Sequence, residues 1–397
     1  MKRGIIPLLF VFLFSASLDS EVYFSFVPAG KYRVIERSDY RLRQNGTYKG
    51  HIYNENRGIL SADLQSDGSY RVSATYYVFE ELTRDGSRQA SKVDEINRSD
   101  FTLYTSGEMI IDRNETYPLI RSFPSYTSDP VAKGDSWLAF SEKVVLHKGT
   151  VTRFPVYCEY VYEGLSRYQG QDVHSIRAKY AVRYNQGDDP DGNPELKNIS
   201  GTHDVSIIIS AFDGEPILIR DNMREIHQFT DGQSLEKNGF ILTFFKGVRG
   251  LDRANMAEKL MADLQSDLGD DISGDISLSQ KDEGLLLTLK NLHFLPDQAV
   301  LLADDVPLLD SLARYLKTVD DRSFLVKGHT ADVGTRESQF ELSIDRAVVV
   351  VNELIKRGIG EDRFLYMGMG GTEPVASNDS EEGRAENRRV EILIMED

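Results

Sequence analysis

Short runs in which apolar and polar residues alternate dominate the chain from residue 21 to about residue 250, and Asn-Gly or Asp-Gly pairs separate several of them. One such run, Tyr70–Val78, directly follows the Asp67-Gly68 pair and Ser69. Alternation with a period of two is typical of a strand with one buried face, and these pairs are typical of tight turns. The pattern predicts an antiparallel β domain over residues 21–250, built as a sandwich, a half-barrel or a small barrel.

A helical pattern follows over residues 251–275. Apolar residues recur at intervals of four, with charged residues on the opposite face, as in an amphipathic helix; they are Met256, Leu260, Leu264 and Leu268. The acidic, glycine-containing stretch 269–274 then fits a domain boundary. We interpret residues 251–275 as a helical linker, and packing of this helix against the β domain is the alternative.

The last region, residues 276–397, alternates strand-like and helix-like segments. Helical patterns are predicted over two stretches, 299–317 and 336–357, and strands are predicted at 284–292, 323–328, 364–369 and 388–395. Alternation of this kind predicts an α/β sandwich with two helices on one face of a small mixed sheet. The whole chain is therefore expected to be an α+β multidomain protein.

Three motifs stand out in this last region: Gly328-His329-Thr330 after an apolar strand, Leu342–Ala347 within an amphipathic helix, and Asn387–Ile392 near the end. Together they resemble the OmpA-like peptidoglycan-binding domain, whose family pattern runs GHTD, N-x-x-L-S-x-x-R-A and N-R-R-V-E. The resemblance implies the α/β sandwich and non-covalent binding of the peptidoglycan stem peptide. It covers the carboxyl-terminal domain alone and says nothing about residues 21–250.

The resemblance also implies a ligand clamp, which this chain only partly retains. Arg346 matches the arginine that grips the free carboxylate of the stem-peptide diamino acid, but Ala331 replaces the aspartate that neutralises the ligand ammonium. Asp332 lies one position further, where an extended segment would direct it to the opposite side. Gln339 replaces the usual asparagine. Removing one partner of a desolvated charge pair costs ~2–5 kcal/mol, so we expect weakened or altered stem-peptide recognition.

Four further residues complete the predicted pocket. Thr330 belongs to the turn that faces the second helix, and the resemblance implies that Asn387 and Arg388 lie at the pocket rim. Asp297 either caps the first helix or contacts the ligand. Arg389 is expected to be a solvated strand residue. The seven histidines show no metal-ligand spacing, and no catalytic motif stands out, so the sequence predicts no enzyme, no metal and no cofactor.

The charge and the amino terminus predict where the protein acts. A formal net charge of -17 disfavours nucleic acid as a partner. Residues 1–20 have a basic start, a short apolar run and small residues at the end, as in a cleavable secretory signal peptide. The single cysteine, Cys158, lies far from this segment, so a lipoprotein is not expected. We expect a periplasmic protein of a Gram-negative-type bacterium, with outer-membrane association left open.

Two functional hypotheses follow. In the first, a non-enzymatic envelope protein contacts peptidoglycan through its OmpA-like domain. In the second, that domain is a scaffold that no longer binds peptidoglycan, and the β domain binds a protein, a lipid or a glycan in the periplasm. Ala331 is the feature that favours the second hypothesis.

Overall fold

A computed structural model describes residues 21–28, 30–79, 90–269, 274–290, 292, 294, 298–319 and 322–397. The predicted signal peptide and Asp297 lie outside these residues. The strands are β1 (Lys31–Gln44), β2 (Thr47–Leu64), β3 (Tyr70–Phe79), β4 (Ser91–Lys92), β5 (Glu95–Leu103), β6 (Met109–Ile111), β7 (Ile120–Arg121), β8 (Ser136–His147), β9 (Thr150–Tyr168), β10 (Gln171–Asn185), β11 (Leu196–Ser210), β12 (Pro216–Phe229), β13 (Ser234–Gly247), β14 (Ile276–Lys281), β15 (Gly284–Leu289), β16 (Phe324–Gly328), β17 (Phe364–Gly368) and β18 (Val390–Met395). The helices are α1 (Arg253–Leu268), α2 (Val306–Thr318), α3 (Arg336–Lys356) and α4 (Glu381–Asn387).

The amino-terminal region forms a 12-stranded antiparallel sheet that curls into a nearly closed barrel. Its strand order is β6-β5-β3-β2-β1-β13-β12-β11-β10-β9-β8-β7. The two edges approach each other, because the Met109 amide of β6 donates to the Ser122 hydroxyl that follows β7 at 2.9 Å. Asn45 and Gly46 have positive φ angles of 51° and 78°, as a tight turn between β1 and β2 requires. The predicted antiparallel β architecture is confirmed, in its barrel-like form.

The carboxyl-terminal region forms a six-stranded mixed sheet in the order β14-β15-β18-β16-β17-β4. Strands β16 and β17 are parallel, and β18 is antiparallel to β16. Helices α2 and α3 bury apolar side chains against the same core as the sheet; these include Leu312, Leu316, Phe324, Val350, Leu354 and Ile392. The α/β sandwich is therefore confirmed. Helix α2 begins later than the predicted residue 299, because Pro307 suits the first turn of a helix.

Helix α1 packs against the carboxyl-terminal core. Leu260 and Leu264 are fully buried in that core, beside side chains of α2 and the mixed sheet. The Tyr315 hydroxyl of α2 donates to the Met256 carbonyl at 2.9 Å. The helix predicted as a linker thus has the predicted apolar stripe, and the stripe contacts the carboxyl-terminal domain. Within the described ranges no helix has the length and apolar character needed to cross a membrane.

The second face of the mixed sheet is covered by the barrel-like sheet. Apolar side chains from both regions form one buried cluster: Ile59, Tyr77, Phe79 and Val93 meet Leu325, Leu365, Met367, Leu393 and Met395. Strand β4, from the amino-terminal part of the chain, pairs in parallel with β17. Ion pairs surround the cluster, among them Lys31 with Glu396 and Arg98 with Glu283 (3.1 Å). The two regions therefore share a hydrophobic core.

Candidate functional site

Helix α3 carries the arginine of the candidate site. The helix begins after Thr335, whose hydroxyl accepts a hydrogen bond from the Ser338 amide at 3.2 Å and so caps the first turn. Gly328, at the end of β16, lies against this helix so closely that an added Cβ would overlap the Ser343 carbonyl oxygen. The glycine of the Gly-His-Thr motif is therefore needed for close packing of β16 on α3.

Arg346 lies two helical turns after Gln339 on the buried side of α3. Its side chain is largely buried, at 6% exposure for the residue. The guanidinium carbon lies 5.0 Å from the centroid of the Phe294 ring, a distance typical of a cation–π contact. Phe294 lies between β15 and α2, so this segment and α3 together position the cation.

Asp332 lies just before α3 and is held there by two hydrogen bonds. Its carboxylate accepts a hydrogen bond from the Gln339 side-chain amide at 3.0 Å, and its backbone amide donates to Asn378 at 3.0 Å. The Gln339 side-chain oxygen in turn accepts from the Gly371 amide at 3.2 Å. Gln339 and Arg346 are seven residues apart, which is about 10 Å along a helix axis. The Asp332 carboxylate is therefore fixed by Gln339, whose backbone position lies about two helical turns before that of Arg346.

Thr330 and Ala331 line the turn between β16 and α3, and both are buried. The Thr330 amide donates to the Gly370 carbonyl at 2.9 Å. Its hydroxyl is buried and forms no hydrogen bond with any part of the chain that the structure describes. A buried hydroxyl normally has a partner, so this group is available to a ligand or a water molecule. The Ala331 methyl group supplies no charge at the position of the family aspartate.

Asn387 organises the loop opposite α3. It is fully buried, and its side-chain oxygen accepts from the Val375 and Ala376 amides at 2.8 and 3.0 Å. Its side-chain nitrogen donates to the Ala376 carbonyl and to Asn378, both at 2.9 Å. Through these bonds Asn387 positions the loop of residues 375–378, and Asn378 of this loop accepts the hydrogen bond from the Asp332 amide. The contact of Asn387 with a ligand remains a prediction.

Arg388 lies at the surface end of this loop, where it pairs with Glu381 at 2.5 Å. It is only partly buried, so a rim position is compatible with the structure. Its neighbour Arg389 differs from the sequence expectation, because it is 3% exposed and donates to Glu391 at 2.8 Å. Arg389 lies on the same face of the chain as Glu391, as strand alternation requires, but both faces of β18 are buried.

Glu391 forms the centre of a buried polar cluster that sequence reasoning missed. The His329 Nε2 atom lies 3.4 Å from its carboxylate, and Arg389 lies on its other side. Burial alone would raise the pKa of Glu391, but His329 and Arg389 outweigh burial and lower the pKa to about 2. Burial lowers the pKa of His329. His329 and Glu391 belong to two of the sequence motifs, but only the pairing of β16 with β18 brings these motifs together.

The same cluster brings possible metal ligands together. Ligand atoms of His329, Glu373 and Glu391 all lie within 4.8 Å of one another. Glu391, however, already has Arg389 as a cationic partner. A metal ion would have to compete with this guanidinium at close range, so we assign no metal to the cluster.

These features define an α/β domain with a buried arginine on its second core helix and a Gly-His-Thr turn beside it. The model of the OmpA family matches residues 293–388. The peptidoglycan-associated lipoprotein of Pseudomonas aeruginosa is 33% identical over 120 residues, which cover 30% of this chain and 71% of that protein. The chain belongs to the OmpA family.

Two further comparisons describe the extent of the similarity. The peptidoglycan-binding protein ArfA of Mycobacterium tuberculosis is 38% identical over 98 residues, covering 25% of this chain and 30% of that protein. The solved periplasmic domain of Helicobacter pylori MotB is 29% identical, with 31% of this chain and 82% of that chain covered at a TM-score of 0.29. The chain thus spans less than a third of the length of ArfA.

Proposed function

We propose that this protein is a non-enzymatic cell-envelope protein that contacts peptidoglycan non-covalently through its OmpA-like domain. The observation that carries the proposal is Arg346, which is buried on α3 at the arginine position of the family motif and stacked on Phe294. A guanidinium can bind a carboxylate through two parallel hydrogen bonds. The names of two relatives, a peptidoglycan-binding protein and a peptidoglycan-associated lipoprotein, support the same ligand class.

Recognition of the stem peptide is altered in this proposal. Ala331 provides no charge for the ligand ammonium, and the Asp332 carboxylate already accepts a hydrogen bond from the Gln339 side chain. The lost charge contact corresponds to ~2–5 kcal/mol, which is about one and a half to nearly four decades of affinity. Weak binding of a diaminopimelate-type stem peptide is therefore expected, with Arg346 as the main anchor.

The proposed location is the periplasm, after export by a cleavable signal peptide. Among the relatives are an outer membrane protein A and a peptidoglycan-associated lipoprotein, which supports an envelope location with association to the outer membrane. Because the barrel-like sheet and the OmpA-like domain share a core, wall binding would also fix the position of the barrel.

Cosedimentation of the purified protein with insoluble peptidoglycan tests this proposal. We expect a detectable fraction of the wild-type protein in the pellet and at least a tenfold loss of binding in Arg346→Ala, because the carboxylate anchor is removed. Arg336→Ala is the matched control, since Arg336 is exposed at the start of the same helix. Wild-type protein that stays wholly in the supernatant would contradict peptidoglycan binding.

A second candidate function is that of a scaffold whose ancestral pocket no longer binds the wall. The bond between Gln339 and Asp332 favours it, because this bond occupies the one acidic side chain next to Ala331. The barrel-like region would then carry the binding function. Equal pelleting of wild type and Arg346→Ala would support this second candidate.

A further inference from the structure

The interior of the barrel-like sheet contains a cavity of about 430 Å³. Side chains from most of the strands of the sheet line it, as does the segment between β6 and β8. Cavities of a few hundred cubic ångströms are typical of sites for small molecules. A role for this cavity is independent of the proposed peptidoglycan contact, because all of its lining residues lie in the amino-terminal region.

The cavity wall changes from apolar to polar along its length. The inward-facing residues of β1 show this order, which runs Tyr32, Val34, Glu36, Ser38 and Tyr40. On the neighbouring strand β13, Phe245 pairs with Val34 at the apolar end, and Lys237 pairs with Leu42 at the polar end. The two strands thus give the cavity the distribution of polarity that an amphiphilic molecule has.

The apolar end is covered by the chain that precedes β1. The Phe26 ring packs edge-on against the Tyr32 ring, with centroids 6.0 Å apart, and lines the cavity. The Phe26 amide donates to the Thr105 carbonyl at 2.8 Å, and Val22 forms a bridge with Val131. Phe26 and Tyr32 therefore give this end of the cavity an apolar floor.

The acidic groups at the polar end already have partners. The Glu225 carboxylate contacts His203 at 3.0 Å and His227 at 2.8 Å, and it forms an ion pair with Lys143. Asp221 contacts the other ring nitrogen of His203 at 2.7 Å. The Glu36 carboxylate, the third acid that lines the cavity, accepts a hydrogen bond from the Asn56 side chain at 3.2 Å. All three carboxylates therefore have partners, as buried charges require.

Lys237 differs from these groups. It lies opposite Glu225 in the β12–β13 register, yet its ammonium forms no hydrogen bond or ion pair with any residue that the structure describes. Its nearest aromatic contact is the Tyr40 ring, whose centroid lies 5.6 Å from the ammonium nitrogen. Burial lowers the pKa of Lys237. The charge of Glu225 opposes this effect, but the pKa of Lys237 stays below its ordinary value. A buried ammonium without a hydrogen-bonded ion pair is costly, and an anionic ligand would remove this cost.

We propose that the cavity binds a single-chain amphiphile with an anionic head group, which pairs with Lys237 while the acyl chain extends toward Tyr32 and Phe26. A glycan would need polar partners along its whole length, whereas half of this wall is apolar. A folded protein partner could not enter a cavity of about 430 Å³. A long-chain carboxylate has both the anionic head group and the apolar chain.

Calorimetric titration of the full-length protein with laurate, lauryl alcohol and laurylamine tests the proposal. We expect saturable binding of laurate with one molecule per chain, at least tenfold tighter than lauryl alcohol, because a charge-assisted hydrogen bond to Lys237 is added. Laurylamine should bind most weakly. Lysophosphatidylglycerol distinguishes the source of the ligand: tight binding indicates a lipid head group, and binding of laurate alone indicates a free fatty acid.

Two cavity variants and one control variant separate a binding role from a structural role of the cavity residues. Lys237→Met should remove the preference for laurate over lauryl alcohol, whereas Lys246→Met, an exposed residue on the outer face of the same strand, should retain it. Thr243→Trp, which places a large side chain in the cavity, should abolish binding of both. Circular dichroism establishes that each variant is folded. Absence of saturable laurate binding, an unchanged preference in Lys237→Met, or full binding by Thr243→Trp would overturn the proposal.

Discussion

The OmpA-like domain and the barrel-like sheet each enclose a cation, but the surroundings of these cations differ. Arg346 lies on one helix, within a local sequence motif, and stacks on Phe294. Lys237 lies on one strand of a large sheet, and its neighbours inside the cavity come from strands that are distant in sequence. A binding group within a compact motif can be found by sequence pattern. A binding group that many strands surround becomes visible only when the sheet is assembled.

The two regions also differ in how they treat buried charge. In the OmpA-like domain, Arg389 and His329 surround Glu391. In the barrel, Glu225 has three cationic or imidazole partners, while Lys237 has no ion pair within the described part of the chain. The ion pairs of Glu391 stabilise the fold, whereas Lys237 is available to pair with a ligand. The following predictions test this difference, from the largest expected effect to the smallest.

The shared core should make the two regions unfold together. Phe79→Ala removes a fully buried ring from the cluster between the regions, and we expect a loss of about 3–5 kcal/mol in the free energy of unfolding. Chemical denaturation followed by circular dichroism and by tyrosine fluorescence measures this loss and its cooperativity. Phe212→Ala is the control, since Phe212 is 96% exposed. Two separate transitions in the wild-type protein would show that the regions are independent.

Glu391 should stabilise the OmpA-like domain in a pH-dependent manner. Its pKa of about 2 in the folded protein lies below the ordinary value of 4.5, so its contribution is full above about pH 4.5 and is lost as the pH falls toward about 2. Glu391→Gln should therefore cost roughly 3 kcal/mol at neutral pH and much less near pH 2. Unfolding curves at several pH values measure this difference, with the exposed Glu382→Gln as control. An equal cost at all pH values would refute the pairing.

Lys237 should lower the stability of the ligand-free protein. Its replacement by methionine removes a cation that lacks an ion pair, so Lys237→Met should raise the free energy of unfolding by about 1–3 kcal/mol. Thermal unfolding without ligand measures the gain, and Lys246→Met should leave stability unchanged. A destabilised Lys237→Met variant would mean that Lys237 supports the fold.

Gln339 should have the smallest effect on stability. Gln339→Ala removes the hydrogen bonds to Asp332 and Gly371. We expect the free energy of unfolding to fall by about 1 kcal/mol, because Asp332 is exposed and its bond contributes little. Unfolding measurements check the loss, and hydrogen exchange should show faster exchange at Gly371. Unchanged exchange there would indicate that Gln339 does not hold the loop.

Much of the OmpA-like domain could be predicted from sequence because its signals are local. The helical period of α3 and the spacing from Ala331 to Arg346 lie within short segments, and the structure places them on the expected elements. Arg389 was predicted to face solvent, and this was wrong because both faces of β18 are buried, one in the core of the domain and one toward the barrel-like sheet. The period-two runs predicted strands, but not the barrel-like closure, which depends on contacts between residues such as Met109 and Ser122.

The central claim is that Arg346 forms half of a ligand clamp whose acidic partner is absent at position 331. Calorimetric titration of wild type and Ala331→Asp with a soluble stem peptide that contains diaminopimelate tests it most directly. We predict weak binding by the wild type and at least a tenfold gain in Ala331→Asp, because the ligand ammonium regains a charged partner. Tight wild-type binding that Ala331→Asp leaves unchanged would contradict the claim.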